Sequence, residues 1–126
     1  MKVYISGPMT GYKNLNKGAF LEAENMLKDK GYEVINPHNY PHAPYEVCMR
    51  RDIQLLMGCD AIFMLNGWSK SRGAKVEYAV AQILGLKIYN YTTEKHPCQN
   101  TSIHHRLPKS HTKDGLGGYP VEIKDN

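Results

Sequence analysis

Short apolar runs alternate with longer amphipathic stretches along the first three quarters of the chain. Residues 2–6 (KVYIS) are β-rich and run into Gly7-Pro8, which predicts a strand ending in a turn. Over residues 16–30, Ala19, Phe20, Ala23, Met26 and Leu27 recur at helical spacing, with Gly31 as a stop signal. Residues 32–36 predict a second strand, ended by Pro37. Pro37, Pro41 and Pro44 then exclude a regular element and predict a loop. A helix is expected over residues 45–57, with Met49, Ile53, Leu56 and Met57 on one face and Gly58 closing it. Residues 61–65 (AIFML) form a continuous apolar run, as a strand buried on both faces requires. A loop over 66–73 leads to a helix over 74–84 with Val76, Val80 and Ile83 inward. Gly85 stops it, and residues 86–91 (LKIYNY) predict a fourth strand.

The order βαβαβαβ with short turns predicts an α/β fold, a parallel sheet with helices on both faces and right-handed crossovers. Ligands of such sheets bind beyond the carboxyl ends of the strands. Chemistry is therefore expected in the loops that follow Ser6, Asn36 and Leu65. The pattern stops at Thr92. Residues 92–126 have few large apolar side chains, include Gly117-Gly118 and hold His96, His104, His105 and His111. They are too polar for a second core. The expected division is an α/β domain over 1–91 and a polar C-terminal extension over 92–126, irregular or in contact with another subunit.

Composition narrows the function classes. A chain of 126 residues and 14.3 kDa is the size of one domain, and 41% hydrophobic with 22% charged residues excludes wholesale disorder. The net charge of +4 is spread out, with Arg50-Arg51 the densest basic pair. A nucleic-acid binder shows a clustered basic stripe, so the balance fits a small anionic ligand better. No run approaches the length of a membrane span and the N-terminus lacks a secretory pattern, so a cytoplasmic protein is expected. Cys48, Cys59 and Cys98 match no zinc spacing, and the C-terminal histidines match no common site, so no metal or other cofactor is expected.

Three segments can carry chemistry. Residues 6–11 (SGPMTG) offer main-chain N–H groups and the Thr10 hydroxyl to an anion, but an ordinary Gly-Pro turn reads the same way. Arg50-Arg51-Asp52 places a carboxylate near the apolar face of its helix, where it needs a cationic partner or a ligand; an ion pair on the helix surface is the other reading. In residues 67–77 (GWSKSRGAKVE), Ser71 suits an N-cap or an anion ligand at a helix start. Glu77, just inside that helix, either borders the cleft or is a solvated glutamate. His38 and His42 lie in the proline loop near the expected cleft.

Taken together, YISGPMTG at 4–11, VINP at 34–37, MRRD at 49–52, CDAIFMLNGW at 59–68 and SRGAKVEYA at 71–79 resemble the nucleoside 2-deoxyribosyltransferase-like superfamily. The nearest match is its small bacterial and phage branch, known as a domain of unknown function, and it covers residues 2–91. The resemblance implies a flavodoxin-like sheet and cleavage or exchange of the N-glycosidic bond of a nucleoside or nucleotide. It assigns Glu77 as the nucleophile of a small-x-Gly-x-x-x-Glu pattern and Asp52 as the assisting acid. Tyr4, Gly7, Pro8, Met9, Thr10, Ser71 and Gly73 then hold sugar or phosphate, while Trp68, His38 and Arg51 are candidates for base or phosphate contacts. Tyr12, Arg50 and Arg72 are further candidates of the same kind.

One departure shapes the expected substrate. Members acting on free nucleosides carry Asp where this chain has Ser71, and a hydroxyl at a helix N-terminus accepts a phosphate dianion that an Asp would repel. The resemblance thus leans toward a nucleoside 5′-monophosphate and a retaining, two-step mechanism through a glycosyl-Glu77 ester. It also implies a homodimer or larger assembly. Two other readings fit the same residues: a catalytically idle nucleotide-binding module, and an interaction protein docking a partner through its tail.

Overall fold

The computed structural model describes residues 1–91 and 123–124. Its regular elements are β1 (Lys2–Ser6), α1 (Lys17–Asp29), β2 (Glu33–Ile35), α2 (Tyr45–Met57), β3 (Ala61–Met64), α3 (Arg72–Leu84), β4 (Lys87–Tyr91) and β5 (Ile123–Lys124). The sheet runs β2-β1-β3-β4-β5. β1 through β4 are parallel, with Tyr4 opposite Ile35 on one side and Ile62 on the other. The α/β architecture expected from the pattern is the one observed. β5 adds an antiparallel edge strand, pairing Tyr91 with Ile123. Two residues are too few to leave a periodic signal, so this strand was not expected. The other readings of the C-terminal extension, its histidines and Cys98 included, lie outside the described residues.

Strand alternation sorts the side chains into two buried layers. Val3, Ile5, Phe63, Leu65 and Tyr89 pack against Phe20, Ala23, Met26 and Leu27 of α1. On the other face Tyr4, Ile62, Met64 and Ile88 meet Leu56 of α2 and Ala74 and Ala81 of α3. Helices thus cover both faces. A strand order that turns from β2-β1 to β1-β3 places its switch point at the carboxyl ends of β1 and β3, where such folds leave a crevice.

The expected helix faces need correction. On α3 the inward positions are Ala74, Glu77 and Ala81, while Val76 and Ile83 face outward and Ile83 is 83% exposed. Val80 is only half-buried. On α2 Asp52 and Leu56 are the buried pair, and Met57 is exposed. Small alanines let α3 approach the sheet closely, and the branched residues are left on its outer surface. Gly85 ends α3 at φ 72°, a left-handed conformation that glycine adopts without strain. Among the described residues no helix is long and apolar enough to cross a membrane.

Candidate active site

Period-two alternation on β1 puts Tyr4 and Ser6 on the same side of the sheet, facing α3. Glu77, one turn after Ala74 on the inward side of that helix, meets both. The Tyr4 hydroxyl donates to Glu77 Oε2 at 2.7 Å and the Ser6 hydroxyl to Oε1 at 2.6 Å. Each carboxylate oxygen is therefore held by one short bond, and the group is only 6% exposed. Burial is the largest influence on its ionisation and lifts its pKa from the ordinary 4.5 to about 7. The two hydroxyl bonds pull it down, and the nearby charge of Asp52 pushes it up. Tyr4, buried beside two carboxylates, is raised well above 10 and stays a donor.

Asp52 reaches the same space from α2. It is 7% exposed, and burial raises its pKa against the opposing pull of Arg51. Arg51 Nε donates to Asp52 Oδ1 at 3.0 Å. Both carboxylates line one cavity of about 670 Å³. Its walls are the turn after β1 (Gly7, Pro8, Met9 and Thr10), the proline loop (His42, Ala43), α2 (Tyr45, Cys48, Met49) and the start of α3 (Lys70, Ser71, Arg72, Gly73). Three of these four walls belong to or adjoin the loops after β1, β2 and β3, where the chemistry was expected; α2 is the fourth.

The start of α3 is built by Ser71, whose hydroxyl accepts from the Ala74 N–H at 3.2 Å and caps the helix. The remaining first-turn N–H groups and the helix dipole favour an anion there, beside Lys70 and Arg72. Gly73 is small because α2 lies close: a Cβ on it would stand 3.2 Å from Met49 Sδ. Gly7 is likewise set by packing, since a Cβ there would come within 2.7 Å of Leu65 Cβ.

Three expected contacts lie elsewhere. Trp68 is buried under α3, stacked on Tyr78 at 4.5 Å, and does not line the cavity. His38 is also absent from its walls; its ring packs edge-on against Phe20 at 4.8 Å and its Nε2 bonds the Leu15 carbonyl at 2.7 Å. Arg51 turns toward the protein rather than the cavity. Tyr12 and Tyr45 are the partly exposed aromatic groups on the lining.

Two features were missed. Asn14, Leu15 and Asn16 form a left-handed turn (φ 51°, 53° and 66°) that carries Leu15 into the cavity wall. The two asparagines, which tolerate that region, were its only signal. Ser6 is expected at the end of the first strand and the head of the Gly-Pro turn, but without a role; its place two residues after Tyr4 on that strand is the signal that pairs them. Among the described residues no group of three or more His, Cys, Asp or Glu could hold a metal ion.

The fold is an α/β fold shared with 2-deoxyribosyltransferases. The chain belongs to the family described as Domain of unknown function (DUF4406), which matches residues 1–90. Its structural neighbours include a 2-deoxyribosyltransferase of Bacillus psychrosaccharolyticus, with a TM-score of 0.67 and 19% identity over 100% of this chain and 99% of that one. A second is the 2-desoxiribosyltransferase of Leishmania mexicana, at 0.62 and 18% over 98% and 77%. The CMP N-glycosidase BcmB of Clostridium botulinum aligns at 0.52 and 25% over 70% of this chain and 66% of its own. No curated protein matches the chain significantly in sequence.

Proposed function

We propose that the protein cleaves or exchanges the N-glycosidic bond of a nucleoside 5′-monophosphate through a glycosyl ester on Glu77. The observation that carries this reading is a buried carboxylate held by two hydroxyls at the wall of a cavity that Asp52 also lines. The likeness to transferases and to a CMP N-glycosidase supports the same class.

In the first step ionised Glu77 forms a bond to the anomeric carbon as the carbon–nitrogen bond breaks and its electron pair leaves with the base. Asp52, directly or through a water, delivers the proton that the departing base takes up. In the second step water or another base attacks the same carbon, Glu77 leaves, and Asp52 takes back the proton that the water or the incoming base gives up. Two displacements give net retention. Tyr4 and Ser6 hold the carboxylate before attack. The phosphate lies at Ser71 and Gly73, with Lys70 and Arg72 supplying charge. Gly7, Pro8, Met9 and Thr10 flank the sugar, and Tyr12 and Tyr45 are placed to stack on the base. The active form is a homodimer or larger in the cytoplasm, and the domain over 1–91 carries the chemistry without a cofactor.

The test is a chromatographic assay of ribo- and deoxynucleosides and their 5′-monophosphates, with and without a second free base. Base release by the wild type that is lost in Glu77→Gln is the expected result, and label entering the added base would make the reaction a transfer. Binding without turnover by both proteins would sink the catalytic reading and leave a nucleotide-sensing module.

A further inference from the structure

We propose that Arg51 is a positioning residue, which fixes the Asp52 carboxylate and ties the proline-loop wall of the cavity to α2. The proposal rests on the glycosidic reading of the site. Arg51 commits its guanidinium to three neighbours within the protein. Nε donates to Asp52 Oδ1 at 3.0 Å, Nη1 donates to the Pro41 carbonyl at 2.6 Å, and the guanidinium carbon sits 5.5 Å from the centre of the Tyr40 ring. One planar group thus spans α2 and the loop after β2.

That loop needs such a tie. Pro41 and Pro44 bring no N–H groups, and residues 40–44 form no regular element. Yet the loop places His42 and Ala43 on the cavity wall. Its other links among the described residues are short-range, from the Tyr40 N–H to the Pro37 carbonyl and from Cys48 to the carbonyls of Pro44 and Ala43. Arg51 reaches its middle.

The same geometry selects the working oxygen of Asp52. Oδ1 is occupied by Arg51, while the carboxylate accepts no other hydrogen bond among the described residues, so Oδ2 is left for substrate or water. The Asp52 charge acts on Glu77 from α3 and Tyr4 from β1. The other titratable or charged groups lining the same cavity are Cys48 and Tyr45 on α2, His42, Tyr12, and Lys70 and Arg72 at the start of α3. Burial disfavours the charged form of Asp52, and the adjacent Arg51 guanidinium opposes that effect through its hydrogen bond and its charge. Lysine has a single compact ammonium group and cannot serve the carboxylate, the carbonyl and the ring at once.

The experiment compares wild type with Arg51→Lys and Arg51→Met, each first checked for an unchanged circular-dichroism spectrum and a cooperative melt. In protein carrying 13C-labelled aspartate, the Asp52 carboxyl resonance, assigned by its loss in Asp52→Asn, is titrated. Its midpoint is expected to rise by about one pH unit or more in Arg51→Met and by less in Arg51→Lys. The pH profile of base release should shift by the same amount, with kcat reduced on the order of 10- to 100-fold. An unmoved Asp52 midpoint in the folded variants would overturn the proposal, and so would normal kcat with a raised KM alone. Arg51→Lys keeps the charge, so it supplies a folded comparison if Arg51→Met does not melt cooperatively. Failure of the wild type to release base would overturn the glycosidic reading instead, and the Asp52 titration would still decide the role of Arg51.

Discussion

At the scale of single residues, Glu77 sets stability against chemistry. Its pKa of about 7 in the folded protein, against an ordinary 4.5, means that folding favours the protonated carboxyl. The stabilisation is complete below about pH 4.5 and is lost as pH rises through about 7. The loss is on the order of 3 kcal/mol for a fully buried group. Glu77→Gln has no charge to bury, so its urea midpoint should exceed that of the wild type at pH 8, and the two should converge near pH 4. Asp52, also raised, acts in the same sense in both proteins and cancels in the comparison. Equal midpoints at pH 8 would show that the carboxylate is solvated. Because attack needs ionised Glu77 while the departing base needs the Asp52 proton, base release should follow a bell-shaped pH profile, with the limb that belongs to Glu77 near 7, where stability also falls. Gly7 is a simpler case. Its missing Cβ leaves room for Leu65, and Gly7→Ala should cost about 1–3 kcal/mol in chemical denaturation.

Among the elements, the start of α3 joins a folding task to a binding one, and substitution can separate them. Ser71 caps the helix by accepting from the Ala74 N–H. Aspartate caps equally well, so Ser71→Asp should leave the melting temperature nearly unchanged, whereas Ser71→Ala should lose about 1 kcal/mol. The added charge should weaken a 5′-monophosphate about tenfold or more while leaving the free nucleoside little affected, measured by calorimetric titration. Equal losses for both ligands would remove the phosphate from this end of the cavity. The same helix shows how far the sequence was legible. Element order and the bounds of α2 followed from apolar spacing and glycine stops, since those signals are local. The inward face of α3 did not, because hydrophobicity favours Val76 and Ile83 while close approach to the sheet selects Ala74 and Ala81. Glu77 was reachable only through its motif, as a polar residue on a buried face contradicts the pattern that finds cores. Trp68, His38 and Arg51 lie in the expected region but turn toward protein, and such orientation depends on neighbours distant in sequence.

For the molecule as a whole, the apolar residues left outside the core acquire a meaning. Val76, Ile83 and Leu84 on α3, with Val47 and Met57 on α2, are exposed on two helices that pack side by side over one face of the sheet. Exposed apolar side chains on two adjacent helices offer a surface for association. A homodimer through this layer would cover them and bring a second copy near helices that also carry Asp52 and Glu77. In sedimentation at micromolar concentration the wild type should run at twice 14.3 kDa. Ile83→Glu should run as a single chain with an unchanged melt at low concentration, since Ile83 is 83% exposed and lies outside the core. A wild type that sediments as one chain at tens of micromolar would remove the dimer. If Ile83→Glu is monomeric and also loses base release while keeping its fold, the cavity depends on the second copy. If activity survives in the monomer, the walls described on one chain suffice, and association serves stability alone.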